Sequence, residues 1–170
     1  MRQTAIKGVV LTVLFGGLIW ASSKTVITVD QLANAVCSVV PIHKDTFKQV
    51  WEQVWWLFVK GWHATEFGIL VWLLSWVLGR FRWGLEFASG IAVGFAFLDE
   101  WHQTSVASRG GRLSDVAIDC IGILTAALLI TGRRKQKLLS RRSLLLGGLL
   151  ILGAIGLLSL HPFGDLSRRL

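Results

Sequence analysis

The chain has 170 residues, of which 53% are hydrophobic, and its mean hydropathy is +0.59. So much apolar surface exceeds what a soluble core of this size can bury, which argues against a soluble domain and predicts one all-α membrane domain over residues 1–170. The formal net charge of +8 arises from basic residues that lie mainly at the ends of apolar segments. This placement predicts contact with the lipid bilayer, and we expect no nucleic-acid partner.

The first apolar run covers residues 6–22, with Arg2 and Lys7 at its start. A basic start and the ending Ala21-Ser22 are also typical of a secretory signal peptide, but the later apolar runs favour a retained first span. Aromatic and apolar residues then recur at helical spacing at Phe47, Trp51, Val54, Trp55, Phe58 and Trp62. This stripe predicts an amphipathic helix in the membrane interface between the first and second spans, or one that packs on the other helices.

Four further apolar runs bring the expected number of transmembrane helices to about five. The second, residues 57–78, is about 33 Å long as a helix, enough to cross a bilayer. The others are residues 84–98, 113–130 and 144–160, with a short tail at 161–170. Residues 133–142 contain six basic side chains, and basic loops stay in the cytoplasm. The N-terminus is therefore expected in the cytoplasm, and the segment between the third and fourth spans outside it.

That outer segment is polar, and charged groups beside membrane spans are costly enough to suggest a function. Because alternate spans bring their outer ends together, three parts of the chain are expected to converge on one outward-facing pocket. The candidate residues are His63 and Glu66 from the second span, Asp99, Glu100, His102 and Gln103 from the third, Arg109 and Arg112 from the loop, and Asp115 and Asp119 from the fourth.

Several chemistries fit these residues, and the sequence leaves them open. In a ligand-binding site Arg109 and Arg112 would contact a phosphate or carboxylate, and the polar wall would be Asp99, Glu100, His63 and Glu66. Gln103, Asp115 and Asp119 are further candidates for ligand binding. In a catalytic site His63 with Glu66, or Glu100 with His102, would act as acid and base. The same acids and imidazoles could instead bind a divalent metal, although no sharp ligand spacing identifies one, and the sequence leaves any cofactor unknown. In a structural network the carboxylates and arginines would only hold the loop against the helix ends.

The residues Asp99-Glu100-Trp101-His102-Gln103, followed by Arg109, Asp115 and Gly122, resemble the D-E-x-x-Q…R…D…G signature of the VanZ-like family of small membrane proteins. Residues 60–70 resemble that family's segment around a histidine at the start of a span, and residues 20–23 are a weaker match. The resemblance covers roughly residues 5–130, so the basic loop and fifth span at 131–160 are additional. Ala107-Ser108 replaces the family's common Pro-Gly, and Asp119 replaces a common Asn.

Members of this family are associated with lowered sensitivity to teicoplanin, a lipoglycopeptide that acts at the outer membrane face on lipid-linked peptidoglycan precursors. The resemblance therefore implies a multi-pass protein of the cell envelope whose outer pocket recognises an anionic lipid-linked cell-wall precursor or a glycopeptide. Two alternatives remain at this stage. One is a membrane hydrolase or transferase on a lipid-linked substrate, with His102 or His63 as base, and the other is an accessory subunit of a larger membrane complex.

Overall fold

The structure is a computed structural model that describes residues 2–24, 27–106, 110–134 and 151–159. Within those ranges the chain is helical and forms no β-strand, which confirms the all-α prediction. The helices are α1 (Arg2–Ser22), α2 (Val29–Val39), α3 (Lys44–Leu78), α4 (Gly84–Gln103) and α5 (Leu113–Arg134). Residues 151–159 are also helical, and we name this segment α6.

Three of these helices have segments long and apolar enough to cross a membrane: Ala5–Ser22, Lys44–Leu78 and Leu113–Gly132. They support the prediction of a membrane protein. Helix α4 covers the third predicted span, but it carries Glu86 near its start and Asp99 and Glu100 near its end. Much of the predicted fifth span lies outside the described residues, so a total of five spans remains a prediction.

The aromatic stripe and the second span form one continuous helix, α3, rather than an interfacial helix followed by a separate span. Its 35 residues extend about 52 Å, well beyond the ~30 Å hydrocarbon core of a bilayer. No proline interrupts the helix between Lys44 and Leu78. The first turns of α3 therefore continue beyond the hydrocarbon, and there Trp51 stacks on Phe47 and Phe58 at centroid distances of 6.1 and 5.7 Å.

The separate helix between the first and second spans is the short α2. Its start is fixed by a capping box, in which the Gln31 backbone N–H donates to Thr28 Oγ1 and the Thr28 backbone N–H donates to Gln31 Oε1. The helix ends two residues before Pro41, which cannot supply a backbone N–H. An ion pair between Asp30 and Lys48 joins α2 to the start of α3.

Helix α3 is the centre of the fold and contacts α1, α2, α4 and α5. The main core is formed by α1, α3, α4 and α5, and its fully buried residues include Phe67, Val71, Ala92 and Ala96. The alanines of α4 allow close approach to α3, as expected of small residues at membrane helix contacts. Helix α6 adds Ile155 to a second cluster with Ala64 and Ile118.

Helices α3 and α5 approach closely where the backbone of Gly122 lies against the backbone of Ala64. A Cβ atom on Gly122 would overlap the Ala64 carbonyl, so this position requires glycine. One turn further along α3, a Cβ on Gly68 would lie 3.3 Å from the Gly122 carbonyl oxygen. This contact sets the distance between α3 and α5 close to the polar residues Glu66 and Asp119.

Candidate functional site

Five carboxylates from three helices gather at one end of the bundle. We call them the acidic cluster: Glu66 of α3, Asp99 and Glu100 of α4, and Asp115 and Asp119 of α5. Asp119 lies close enough to Asp99, Glu100 and Asp115 for their charges to interact, and Glu66 interacts with Asp99. The structure thus brings together carboxylates from the three segments that the sequence predicted to converge.

Four members of the cluster are almost completely removed from the surface. The exposed fractions are 3% for Glu66, 0% for Asp99, 1% for Glu100 and 1% for Asp119. Buried carboxylates are costly unless a partner or a proton neutralises them. At this helix junction they must therefore be neutralised by internal partners, by bound protons or by a ligand.

Gln103 supplies part of the internal pairing. Its Nε2 donates to Asp99 Oδ2 at 2.9 Å and to Glu100 Oε1 at 3.2 Å. These contacts follow from helical geometry, because residues three and four positions apart share one face. Gln103, which the sequence predicted as a polar site residue, thus hydrogen-bonds both carboxylates in the last turns of α4.

The loop before α5 is attached to α4 through Glu100. Its Oε2 accepts a hydrogen bond from the backbone N–H of Arg112 at 2.9 Å, so both oxygens of Glu100 have partners. The backbone of Gly111 also lies against the Glu100 carbonyl, where a Cβ atom would overlap it. Glu100 and Gly111 therefore position the loop, which supports the structural interpretation for this part of the cluster.

Lys60 is a site residue that the sequence analysis missed. Its Nζ lies 2.7 Å from Asp115 Oδ2, and this ion pair joins α3 to α5 with both side chains largely buried. Lys60 precedes His63 by three residues, so the two share one face of α3. That spacing, inside the segment that resembles the family, was the signal that could have identified it.

Several polar atoms of the cluster have no hydrogen-bond partner among the described residues. They are Glu66 Oε2, Asp99 Oδ1, both carboxylate oxygens of Asp119, and Ser114 Oγ at the start of α5. Buried polar atoms of folded proteins are nearly always satisfied, and each unsatisfied one costs about 1–3 kcal/mol. Among the described residues the cluster has more acceptors than donors, an arrangement that suits a ligand with N–H or O–H groups.

The two predicted histidines have different surroundings. His63 Nδ1 lies 3.9 Å from Glu66 Oε2, too far for a hydrogen bond but within range of an ion pair if the imidazole is protonated. The ring of His102 instead lies against α1, stacked on Trp20 at a centroid distance of 4.0 Å. His102 Nδ1 is also 3.3 Å from Ser23 Oγ. The structure therefore places His63 at the acidic cluster and gives His102 partners on α1.

Of the two predicted anion contacts, the structure describes only Arg112. The side chain of Arg112 is exposed, while its backbone holds Glu100. Arg109 lies outside the described residues, so its role stays a prediction. Within the described ranges, no group of three or more His, Cys, Asp or Glu side chains is arranged to hold a metal ion.

Comparison with known proteins adds one result. The sequence model of the family described as VanZ/LLP1 matches residues 8–138, a range that includes the whole acidic cluster. No curated protein and no solved structure matches the chain. The family match confirms the resemblance found in the sequence.

Proposed function

Because the chain belongs to the VanZ/LLP1 family, we propose that it is a cell-envelope membrane protein that lowers sensitivity to teicoplanin by binding a ligand at its acidic cluster. The ligand class is an anionic lipid-linked cell-wall precursor or a glycopeptide. The observation that carries the proposal is the set of buried acceptor atoms on Glu66, Asp99 and Asp119 that have no partner among the described residues.

The chemistry of the cluster suggests that the ligand has two parts, one that donates hydrogen bonds to the carboxylates and one that is anionic. Hydroxyl, amide and amine groups, which are abundant in saccharides and peptides, supply the donors that the carboxylates need. A phosphate would be repelled by the same carboxylates, so we assign the anionic part to the exposed side chain of Arg112 and to the predicted contact Arg109. Planar guanidinium groups suit phosphate and carboxylate oxygens there.

The orientation in the membrane follows from the positions of the basic residues. Arg80 and Arg82 lie beyond the end of α3 opposite the acidic cluster. Under the positive-inside rule this end is cytoplasmic, as is the N-terminus, and the acidic cluster faces out of the cytoplasm. In that orientation the site lies on the membrane face where teicoplanin acts.

A hydrolase or transferase acting on the same class of molecule is the second candidate, favoured by the nearness of His63 to Glu66. In that mechanism the His63 imidazole accepts a proton from water or a substrate hydroxyl, and Glu66 stabilises the imidazolium that forms. Turnover of a lipid-linked substrate by the pure protein, lost in His63→Gln, distinguishes this candidate from binding alone. Absence of turnover with and without added divalent metal counts against it.

The primary test measures teicoplanin and vancomycin sensitivity of a susceptible host at matched membrane levels of each variant. Asp99→Asn and Arg109→Ala should both lose protection, since one removes a buried acceptor and the other a predicted anion contact. Glu86→Gln is the matched control, because it removes an exposed carboxylate from the opposite end of α4. If Asp99→Asn and Arg109→Ala protect as well as the intact chain, the acidic cluster is not the working site.

A further inference from the structure

The acidic cluster carries more negative charge than positive charge. Lys60 neutralises one member, Asp115, through the 2.7 Å ion pair between α3 and α5. His63, whose Nδ1 lies 3.9 Å from Glu66 Oε2, can neutralise a second member when it is protonated. The described residues place no cation within ion-pair distance of the other three members, which are Asp99, Glu100 and Asp119.

Hydrogen bonds from neutral groups do not remove this negative charge. The amide of Gln103 donates to both Asp99 and Glu100, and the formal charge of each carboxylate stays the same. Like charges repel strongly in a buried site, where the effective dielectric constant is well below that of water. Hydroxyl or amide groups of a ligand would satisfy the oxygens and leave this repulsion in place. A ligand group with both N–H donors and a positive charge therefore stabilises the cluster more than a neutral donor does.

The arrangement of the unpartnered oxygens favours an ammonium group over a guanidinium group. Buried oxygens without a partner among the described residues lie on Glu66 of α3, Asp99 of α4 and Asp119 of α5. A primary ammonium has three N–H donors that point in different directions, whereas a planar guanidinium suits the two oxygens of one carboxylate. The chain itself pairs one carboxylate of the cluster with a primary ammonium, that of Lys60.

We propose that the part of the ligand bound by the acidic cluster is a primary ammonium group, held by Glu66, Asp99 and Asp119. This inference rests on the proposed function, because it names the chemical group that the same site recognises. The ligand then carries an amine in addition to its anionic part. A primary amine on a sugar or peptide meets this requirement, since it is positively charged at neutral pH.

The cluster comes closest to the surface at three of its side chains from α3 and α5. Those of Lys60 and Asp115 are 14% and 17% exposed, and that of His63 is 19% exposed. The unpartnered oxygens of Glu66 and Asp119 are buried behind them. The ammonium group therefore enters at this edge, next to the ion pair that already holds one ammonium.

The experiment compares three amphiphiles with the same dodecyl chain, each titrated into the full chain in neutral detergent micelles at neutral pH. Dodecylammonium has a positive charge and N–H donors, dodecyltrimethylammonium has the charge without the donors, and dodecyl glucoside has hydroxyl donors without the charge. Thermal unfolding is measured at each concentration. We expect dodecylammonium to raise the unfolding temperature, to saturation, by about 3 °C or more above the effect of the other two.

Asp119→Asn tests whether this rise comes from the acidic cluster. The substitution keeps the shape of the side chain and removes one negative charge, so at least half of the rise caused by dodecylammonium should be lost. Glu86→Gln is the matched control, because it removes an exposed carboxylate at the opposite end of α4 and should keep the full rise. Each rise is measured against the same variant without amphiphile, so a change in intrinsic stability does not affect the comparison.

The other outcomes overturn the inference. Equal rises with dodecylammonium and dodecyltrimethylammonium would mean that charge alone acts, and an equal rise with dodecyl glucoside would mean that neutral donors suffice. Absence of a rise with dodecylammonium, or an unchanged rise in Asp119→Asn, would exclude an ammonium site in the cluster.

The teicoplanin assay separates this inference from the proposed function. Loss of protection in Asp99→Asn, without any effect of dodecylammonium on the intact chain, overturns the ammonium assignment and leaves the proposed function. A dodecylammonium effect that Asp119→Asn removes, together with full protection in Asp99→Asn, leaves ammonium binding and overturns the proposed function.

Discussion

The carboxylate of Asp119 is buried, with only 1% of the residue exposed. Neither of its oxygens has a hydrogen-bond partner among the described residues. We expect Asp119→Asn to raise the free energy of unfolding by about 1–3 kcal/mol, because it removes repulsion from Asp99 and Glu100 and adds hydrogen-bond donors. Thermal unfolding in detergent micelles measures this change. The same substitution should reduce protection against teicoplanin if the free acceptors bind the ligand.

Asp115→Asn is the contrasting control for that measurement. Asp115 belongs to the same cluster and the same helix, but its Oδ2 pairs with Lys60 at 2.7 Å. Its neutralisation leaves a largely buried ammonium without its partner and should lower the free energy of unfolding. A shift of both variants in the same direction would contradict the distinction between paired and unpaired carboxylates.

Gln103 is predicted to stabilise the fold through its two hydrogen bonds to carboxylates. Gln103→Leu should lower the free energy of unfolding by about 2–5 kcal/mol, since hydrogen bonds to charged groups contribute roughly 1.5–3 kcal/mol each and the substitution leaves Asp99 and Glu100 less satisfied. Thermal unfolding is again the measurement. Gln49→Leu on the exposed face of α3 should change it little.

At the scale of helices, the contact between α3 and α5 depends on Gly122. Gly122→Ala should destabilise the fold by about 1–3 kcal/mol or more, because the added Cβ overlaps the Ala64 carbonyl and the two backbones must separate. Gly94→Ala on α4 is the control, since an added Cβ there meets no atom within 4 Å and alanine favours the helix. Thermal unfolding of both variants tests the contact, and equal unfolding temperatures would argue against it.

The short helix α2 is attached to α3 by an exposed ion pair whose strength depends on pH. The Lys48 ammonium lowers the pKa of the Asp30 carboxyl by hydrogen bonding and by its charge. Since the folded pKa is depressed, the pair is complete above the unfolded pKa and is lost as the pH falls through the folded value. A carbon-13 NMR titration of Asp30 should give a higher pKa in Lys48→Gln than in the intact chain, and identical values would exclude the pair.

The sequence predicted much of the site because the residues that approach each other are grouped at the ends of apolar runs. Glu66, Asp99 and Asp119 each lie in the turns expected at one membrane face, and alternate spans bring such turns together. The partners of individual side chains depend on packing that periodicity does not describe. The sequence therefore did not indicate that Lys60 crosses to Asp115 or that His102 stacks on Trp20.

The fold, like the candidate site, is predicted only in part by the sequence. The apolar runs correctly predict the positions of α1, α4 and α5. Within α3, however, the change from an amphipathic aromatic stripe to an apolar run predicts two separate helices, and the structure has one. Helical hydrogen bonds continue across such a change when no proline or turn interrupts them, even with Gly61 at the junction. The hydrophobic pattern marks where the membrane begins, and it does not mark where a helix ends.

At the scale of the whole molecule, the proposed orientation can be measured with single cysteines. In a variant without Cys37 and Cys120, Ser38→Cys on α2 should react with a membrane-impermeant maleimide in intact cells. Arg82→Cys, beyond the opposite end of α3, should react only after the cells are permeabilised. The reverse pattern would place the acidic cluster on the cytoplasmic face.

Because α3 is one unbroken helix, we expect the geometry of the acidic cluster to depend on the thickness of the bilayer. An apolar helical stretch that does not match the bilayer thickness can adapt by tilting, and α3 is about 52 Å long. Lys60, His63 and Glu66 all lie on this helix, whereas Asp99 and Asp119 lie on its neighbours. A tilt of α3 relative to α4 and α5 would therefore change the distance between the two sides of the acidic cluster, and we expect ligand binding there to depend on the acyl-chain length of the lipid.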